Sequence, residues 1–89
     1  MLFMIIEHFH PGKAKEIYKR LETSGRRLPE GVQYINSWID ENLTICYQVM
    51  ESDSEDKIKR WVDAGSDMID FEVIKVITSA QAKEKAMNS

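Results

Sequence analysis

The sequence predicts an α+β fold in which one antiparallel sheet of four strands is covered by two helices. Segments with strand-like alternation and amphipathic segments of helical period follow one another in the order strand, helix, strand, strand, helix, strand over 89 residues. The chain is long enough for one small domain, and its four glycines and two prolines are typical of an ordered protein. This order is that of the split βαβ unit, so we predict a ferredoxin-like βαββαβ sandwich.

The first strand is predicted from Leu2 to Phe9, because the segment is rich in Ile, Phe and Met and ends before Pro11-Gly12. Apolar residues occupy both of its faces. A strand that is apolar on both faces is typical of the interior of a sheet, so we expect a central position.

Two amphipathic helices are predicted. The first begins near Pro11 and ends at Gly25, and its outer cations, with the following Arg26 and Arg27, are interpreted as a solvated surface. The second is predicted to begin at Ser52-x-x-Glu55, which has the spacing of a capping box. Its apolar stripe consists of Ile58, Trp61, Val62 and Gly65.

The last strand is predicted from Phe71 to Thr78, after a turn at residues 67–70. Ser79 is predicted to cap a short, weakly amphipathic helix, which is suited to fraying or to packing on a partner subunit. We therefore divide the chain into a ferredoxin-like domain, residues 1–78, and a C-terminal helical tail, residues 79–89.

The middle of the chain predicts a hairpin of strands at residues 32–40 and 43–51 with Glu41-Asn42 as its loop. A two-residue loop pairs Asp40 with Leu43 and fixes every later pair. The expected pairs are Trp38 with Ile45, Asn36 with Tyr47 and Tyr34 with Val49. One face then collects Tyr34, Asn36, Trp38 and Tyr47, and the face toward the helices collects Ile35, Ile39, Cys46 and Met50.

The set Tyr34, Asn36, Trp38 and Tyr47 is the predicted ligand-binding group. Flat aromatic walls with an amide that orients a carbonyl or hydroxyl suit a small-molecule pocket. The same residues are also typical of packing between two sheets, and the sequence leaves both interpretations open.

His8 is a candidate general base, because its imidazole titrates near neutral pH and it lies near the end of a central strand. A hydrogen-bonded structural histidine is the alternative. His8-x-His10 has a spacing that can chelate a metal if a third ligand such as Glu51 arrives, but His10 adjoins a helix start and favours a capping or solvated role. We predict no metal site and no cofactor.

Composition excludes some classes of function. The formal charge of −3, with acids spread along the chain, argues against a nucleic-acid partner. The longest apolar run, residues 1–6, is far shorter than a membrane-spanning helix, so no membrane partner is expected. Cys46 is the single cysteine and no secretory signal is recognisable, so a cytoplasmic location is expected.

Three segments resemble a family of small, mostly bacterial proteins of unknown function in the dimeric α/β-barrel superfamily. They are MLFMIIEHF before Pro11-Gly12, LPEGV at residues 28–32, and DFEVIKVI at residues 70–77. The resemblance implies that two ferredoxin-like sheets pair face to face as a homodimer. Whether Glu7 or His8 faces the barrel stays open.

Two functional hypotheses follow. The first is a homodimeric module of unknown function that binds a small organic molecule in the barrel or a cleft. The second is a cofactor-independent monooxygenase-like or isomerase-like enzyme acting on a small aromatic substrate. In the wider superfamily some monooxygenases use Asn, Trp and Tyr or His, so by analogy of fold Asn36 and Trp38 would position the substrate and His8 would move a proton.

Overall fold

The computed structural model describes residues 1–88, and its elements follow the predicted order. The strands are β1 (Leu2–Phe9), β2 (Val32–Ile39), β3 (Ile45–Ser52) and β4 (Ile69–Val76), and the helices are α1 (Ala14–Ser24), α2 (Glu55–Gly65) and α3 (Ser79–Met87). All pairs in the sheet are antiparallel. The predicted α+β, ferredoxin-like fold is confirmed.

The sheet has the order β2-β3-β1-β4, so β1 is a central strand as its two apolar faces predicted. The helix α1 connects β1 to β2 and α2 connects β3 to β4. Because Phe3 and Ile5 of β1 are fully buried together with Met50 of β3 and Ile58 of α2, this is the face that the helices cover.

The other side of the sheet, here called the open face, carries the alternate residues of the same strands. It runs through Met4 and Ile6 of β1 and their cross-strand partners Val49 and Tyr47 of β3 and Ile74 of β4. Directly opposed residues of an antiparallel pair point to the same side of a sheet, which places all of these side chains together. Tyr47 and Ile74 are 40% and 46% exposed, so an apolar surface is left on this side.

The register of the β2-β3 hairpin differs from the predicted one. Residues 41–44 form the turn, because Asp40 accepts hydrogen bonds from the backbone N–H groups of Thr44 and Ile45 and from the Thr44 hydroxyl. The turn is thus longer than the two-residue loop expected from Glu41-Asn42, and Trp38 lies opposite Tyr47 instead of Ile45. The carboxylate of Asp40 holds the longer turn together.

A β-bulge between Tyr34 and Asn36 makes a second change in this hairpin. Asn36 lies opposite Val49, yet Tyr34 lies opposite Met50, so the strand takes up one extra residue at Ile35. Met50 points toward the helices, and Tyr34 does so too. The prediction that Tyr34 shares a face with Asn36 was therefore wrong, and Ile35 is half exposed instead of packed under the helices.

The helix ends confirm one predicted cap and correct two. Gly25 ends α1 with a positive φ of 65°, a conformation that favours glycine. The predicted cap of α2, Ser52, is instead the last residue of β3, and its hydroxyl bonds the backbone of Ser54. Ser54 is the residue that precedes α2, and its side chain makes no capping hydrogen bond. At α3 the capping residue is Thr78, with Gln81 completing a capping box.

None of the helices in residues 1–88 is long and apolar enough to cross a lipid bilayer. Of these helices α3 is amphipathic only weakly, as predicted, and it has no buried residue. The division of the chain into a domain of residues 1–78 and a tail stays a prediction.

Candidate functional site: a pocket under the helices

A pocket of about 490 Å³ lies between the helix-covered face of the sheet and the two connecting helices. Its floor is made by Glu7 of β1, Cys46 and Gln48 of β3 and Phe71 of β4. Tyr18 of α1 lines a side. The volume falls in the range that small-molecule sites occupy.

Two aromatic pairs form much of the apolar wall. The rings of Phe9 and Tyr18 meet edge to face with centroids 6.2 Å apart, and those of Trp61 and Phe71 meet edge to face at 5.8 Å. This arrangement is the favourable one for aromatic rings. Trp61 also donates its indole N–H to the backbone oxygen of Arg26 at 2.7 Å, which ties α2 to the segment after α1.

Glu7 is the most unusual residue of the pocket. Its cross-strand neighbours are Cys46 and Phe71, and it continues the side of β1 that buries Phe3 and Ile5. The residue is 7% exposed, and its carboxyl group makes no side-chain hydrogen bond within residues 1–88. Burial therefore raises the pKa of Glu7 from 4.5 to about 7, against the opposing effect of the nearby Arg26 cation.

Arg26 brings a positive charge to the same pocket. Its guanidinium lies 3.7 Å from the ring centroid of Tyr34, in cation–π geometry, and its Nε donates to the side-chain oxygen of Gln48 at 3.5 Å. Tyr34 is held in turn by a 2.6 Å hydrogen bond between its hydroxyl and that of Ser37. The bulge that turns Tyr34 toward the helices thus gives Arg26 a surface to stack on.

Cys46 and Tyr18, which also line the pocket, are uncharged near neutral pH. Burial, with a contribution from Glu7, raises the pKa of Cys46 to about 11. Burial is also the main cause of the raised pKa of Tyr18. A thiol with so high a pKa is a poor nucleophile, so Cys46 serves as a small wall residue.

The predicted ligand-binding set is divided between the two sides of the sheet. Asn36, Trp38 and Tyr47 lie on the open face, where Trp38 pairs with Tyr47 and is 58% exposed. Tyr34 lies on the helix-covered side beside Arg26. The structure thus brings three of the four residues together, away from the pocket.

His8 also lies on the open face, since it alternates with Glu7. Its Nε2 is 2.7 Å from the carboxylate of Glu72, and Nε2 of His10 is 3.0 Å from that of Asp70. Glu51, considered above as a third metal ligand, pairs with Leu2 at the far end of β1. Within residues 1–88 no group of three or more His, Cys, Asp or Glu side chains is arranged to hold a metal ion.

The sequence interpretation did not place the polar residues Glu7, Gln48 and Arg26 in a pocket. A signal for Glu7 was present, because it is the one acidic residue in the apolar segment Leu2–Phe9 and shares its alternation with Phe3 and Ile5. Arg26 carried no such signal, since a cation after a helix is typical of solvated surface.

The fold and the pocket define a small ferredoxin-like domain with a ligand-sized cavity under its helices. The chain belongs to DUF3303, a family described as a domain of unknown function, which matches residues 1–88. No curated protein matches the sequence. The resemblance to an uncharacterised family is thereby confirmed.

Solved structures that share the fold include the following two. The crystal structure of PA3566 from Pseudomonas aeruginosa superposes with a TM-score of 0.53 at 15% identity, covering 86% of this chain and 94% of that one. A protein described as a putative antibiotic biosynthesis monooxygenase from Chloroflexus aurantiacus J-10-fl gives a TM-score of 0.50 at 14% identity, with 89% and 96% coverage. At this identity the likeness is one of fold.

Proposed function

We propose that the protein is a homodimer that binds a small organic molecule in the pocket under its helices. The observation that carries this proposal is the pocket itself, with aromatic walls and a few polar groups on its floor. Apolar walls with a small number of placed polar groups are the usual composition of ligand sites. The Glu7 carboxyl is the second support, because it lines the pocket on the apolar side of β1, and a pocket carboxyl whose pKa is raised by burial is characteristic of binding sites.

The open face supports the homodimer. Its centre is apolar, with Ile6, Tyr47 and Ile74 on neighbouring strands, and the His8–Glu72 pair lies at the end of the strand. An apolar centre beside polar groups is the usual anatomy of an interface, and pairing a face with its own copy buries the whole patch symmetrically. In this proposal Asn36, Trp38 and Tyr47 pack between the two sheets. The acidic composition argues against a nucleic-acid partner. The lone thiol of Cys46 favours a cytoplasmic location for the proposed dimer.

Native mass spectrometry of the purified protein is the first test. A dimer that carries the extra mass of a small molecule supports both parts of the proposal and supplies the mass needed to identify the ligand. A monomer with no affinity for itself contradicts the homodimer.

A variant that fills the pocket tests where a ligand binds. Ala64 lines the pocket from α2, and Ala64→Leu adds an isopropyl group there. We expect the affinity for any ligand found by native mass spectrometry or by a thermal-shift screen to fall by about tenfold or more, as crowded hydrophobic pockets reject extra carbon atoms. Ala82→Leu, on the exposed helix α3, is the matched control and should bind normally. Equal affinity in both variants would place the ligand outside the pocket.

The second candidate function is the cofactor-independent oxidation of a small aromatic compound. It is favoured by the fold likeness to the putative monooxygenase from Chloroflexus aurantiacus, and its residues would be His8, Asn36 and Trp38. Those side chains lie on the open face, so the substrate of this enzyme would have to bind between the two sheets of the dimer.

Oxygen uptake with a panel of quinols distinguishes this enzyme from a binding module. If the assignment is right, we expect turnover that falls by about 100-fold or more in Asn36→Ala and in His8→Ala, since each removes a group placed for proton transfer or positioning. Turnover that survives both substitutions would reject these residues as the catalytic set. Glu84→Ala on α3 provides a control for the effect of an unrelated surface change.

A further inference from the structure

Glu7 is 7% exposed, lines the pocket and has no side-chain hydrogen bond within residues 1–88. A carboxyl group in this position has no structural partner to satisfy it, although each of its oxygens can accept hydrogen bonds. Within residues 1–88 no side-chain oxygen or nitrogen is both fully enclosed and without a hydrogen-bond partner, so the unpaired Glu7 oxygens reach the open space of the pocket. The unfilled bonding capacity of Glu7 is therefore directed at whatever enters the pocket.

The charge of Arg26 limits what that ligand can be. Arg26 also lines the pocket, and its guanidinium is held by the Tyr34 ring and by Gln48. A site that places a carboxyl group beside a guanidinium suits a ligand oxygen able to exist with or without its proton. Tyr18 and Trp61 line the same pocket, and their aromatic rings favour a planar ligand.

We propose that Glu7 is the proton-accepting residue of this pocket, and that the ligand is a planar compound with an ionisable hydroxyl group, a phenol or an enol, which shares one proton with the Glu7 carboxyl beside Arg26. In the transfer the O–H bond of the ligand breaks and its hydrogen bonds to a carboxylate oxygen of Glu7. The electron pair stays on the ligand oxygen, next to the guanidinium. This proposal rests on the proposed function, since it names the ligand class of the same pocket.

The other groups around Glu7 exchange no proton in the relevant pH range, so the shared proton belongs to Glu7 and the ligand oxygen. The raised pKa values of Cys46 and Tyr18 keep both neutral in the relevant range, and Phe71 on the β4 side has no proton to exchange. The other charged residues that line the pocket are arginines, which stay protonated throughout. They are Arg20 of α1, which is paired with Asp67, Arg27, which follows α1, and Arg60 of α2.

The test uses 4-nitrophenol as the probe, because its ionised form absorbs at longer wavelength than its neutral form and so reports where the proton is. In the native protein we expect the affinity to be greatest near the pH where Glu7 titrates, about 7. Above that pH both groups lose their protons and repel each other, so the affinity should fall by up to about tenfold per pH unit. The methyl ether 4-nitroanisole cannot donate a proton and should bind about tenfold more weakly at neutral pH.

Glu7→Gln removes the proton acceptor and keeps the shape of the side chain. In this variant the bound probe should be the phenolate paired with Arg26, and its affinity should stay level or increase as the pH rises. Glu41→Gln, an exposed carboxyl in the β2-β3 turn, is the matched control and should behave as the native protein does. The Ala64→Leu variant should weaken the probe at every pH if the probe lies in the pocket.

Each outcome decides the proposal. A pH dependence that is present in the native protein and absent in Glu7→Gln supports it. Equal pH profiles in the two proteins overturn the role of Glu7, while probe binding that Ala64→Leu still weakens keeps the pocket as the ligand site. Preference for 4-nitroanisole, or no binding of any hydroxyl compound to a protein whose pocket binds other ligands, overturns the ligand class alone. If no ligand of any class binds the native protein, the ligand-binding part of the proposed function fails as well.

Discussion

Replacing Trp38 by alanine is expected to weaken the proposed homodimer by at least about 2 kcal/mol, or about 30-fold in its dissociation constant, because large aromatic side chains at the centre of an interface contribute most of its energy. Trp38 is 58% exposed in the single chain and lies beside Tyr47 on the open face. Burying so large a side chain against a second copy removes apolar surface from water in both subunits. Sedimentation velocity over a concentration series measures the dissociation constant.

Leu43→Ala is the matched control for this experiment. Leu43 is 48% exposed but lies in the β2-β3 turn, outside the strands that form the open face, so the proposed dimer should keep its affinity. Since Leu43 has a positive φ of 59° and alanine tolerates that conformation no better, the substitution changes little except exposed apolar area. If Trp38→Ala and Leu43→Ala form dimers of equal affinity, the open face is not the interface.

Most of the fold was predictable because it depends on patterns that neighbouring residues repeat. The limits of β1 agree with the structure at both ends, since a run of large apolar residues between the N-terminus and Pro11-Gly12 admits few alternatives. The apolar stripe of α2, including Ile58 and Trp61, was read correctly for the same reason. Because several residues carry the same pattern, an error at any one position does not change the predicted element.

The hairpin register was not predictable from alternation, because single side chains decide it. Asp40 accepts backbone and hydroxyl hydrogen bonds from Thr44, which closes a longer turn than Glu41-Asn42 suggested. The bulge beside Ile35 then turns Tyr34 toward the helices. One residue more or less in a strand moves every later side chain to the other face, so the predicted ligand-binding set could not survive these two local changes.

The pocket was hidden from the sequence for a related reason. Arg26 lies after α1 and Glu7 lies in β1, and their common pocket depends on how α1 and α2 pack over the sheet. Sequence spacing carries no information on that packing. The alternation of Glu7 with Phe3 and Ile5 did indicate a buried carboxyl, and this was the strongest local signal for the pocket.

Glu7 is expected to make the protein less stable as the pH rises from about 4.5 to about 7. Its pKa is raised from 4.5 to about 7 on folding, so in this interval the folded state binds the proton more tightly than the unfolded state does. Stability falls with pH wherever the folded state holds more protons, and the full effect of this shift is about 3 kcal/mol. Urea unfolding at a fixed protein concentration, followed at several pH values, measures the free energy of unfolding.

The comparison with Glu7→Gln isolates this contribution, because the difference between the two free energies of unfolding should grow across the same interval and then level off. Asp40 and Asp67 act in the opposite direction: their pKa values are lowered by hydrogen bonds, so their stabilisation is present above the ordinary value and lost on acidification below it. Asp40 and Asp67 contribute equally to the stability of the native protein and of Glu7→Gln, so their contributions cancel in the difference between the two free energies of unfolding. Glu41→Gln should follow the native curve, and a constant difference between native protein and Glu7→Gln would show that the carboxyl is solvated.

A destabilising carboxyl of this kind is informative about the pocket. At neutral pH and above, Glu7 lowers the stability of the free protein, whereas an apolar side chain beside Phe3 and Ile5 would add to the core. Groups that oppose stability in this way are characteristic of sites that bind or react. A ligand that donates a proton to Glu7 neutralises the unfavourable buried charge, so binding of that ligand also removes this destabilisation. The stabilisation of the native protein by such a ligand should therefore exceed that of Glu7→Gln most clearly near pH 7, where the carboxyl is half ionised.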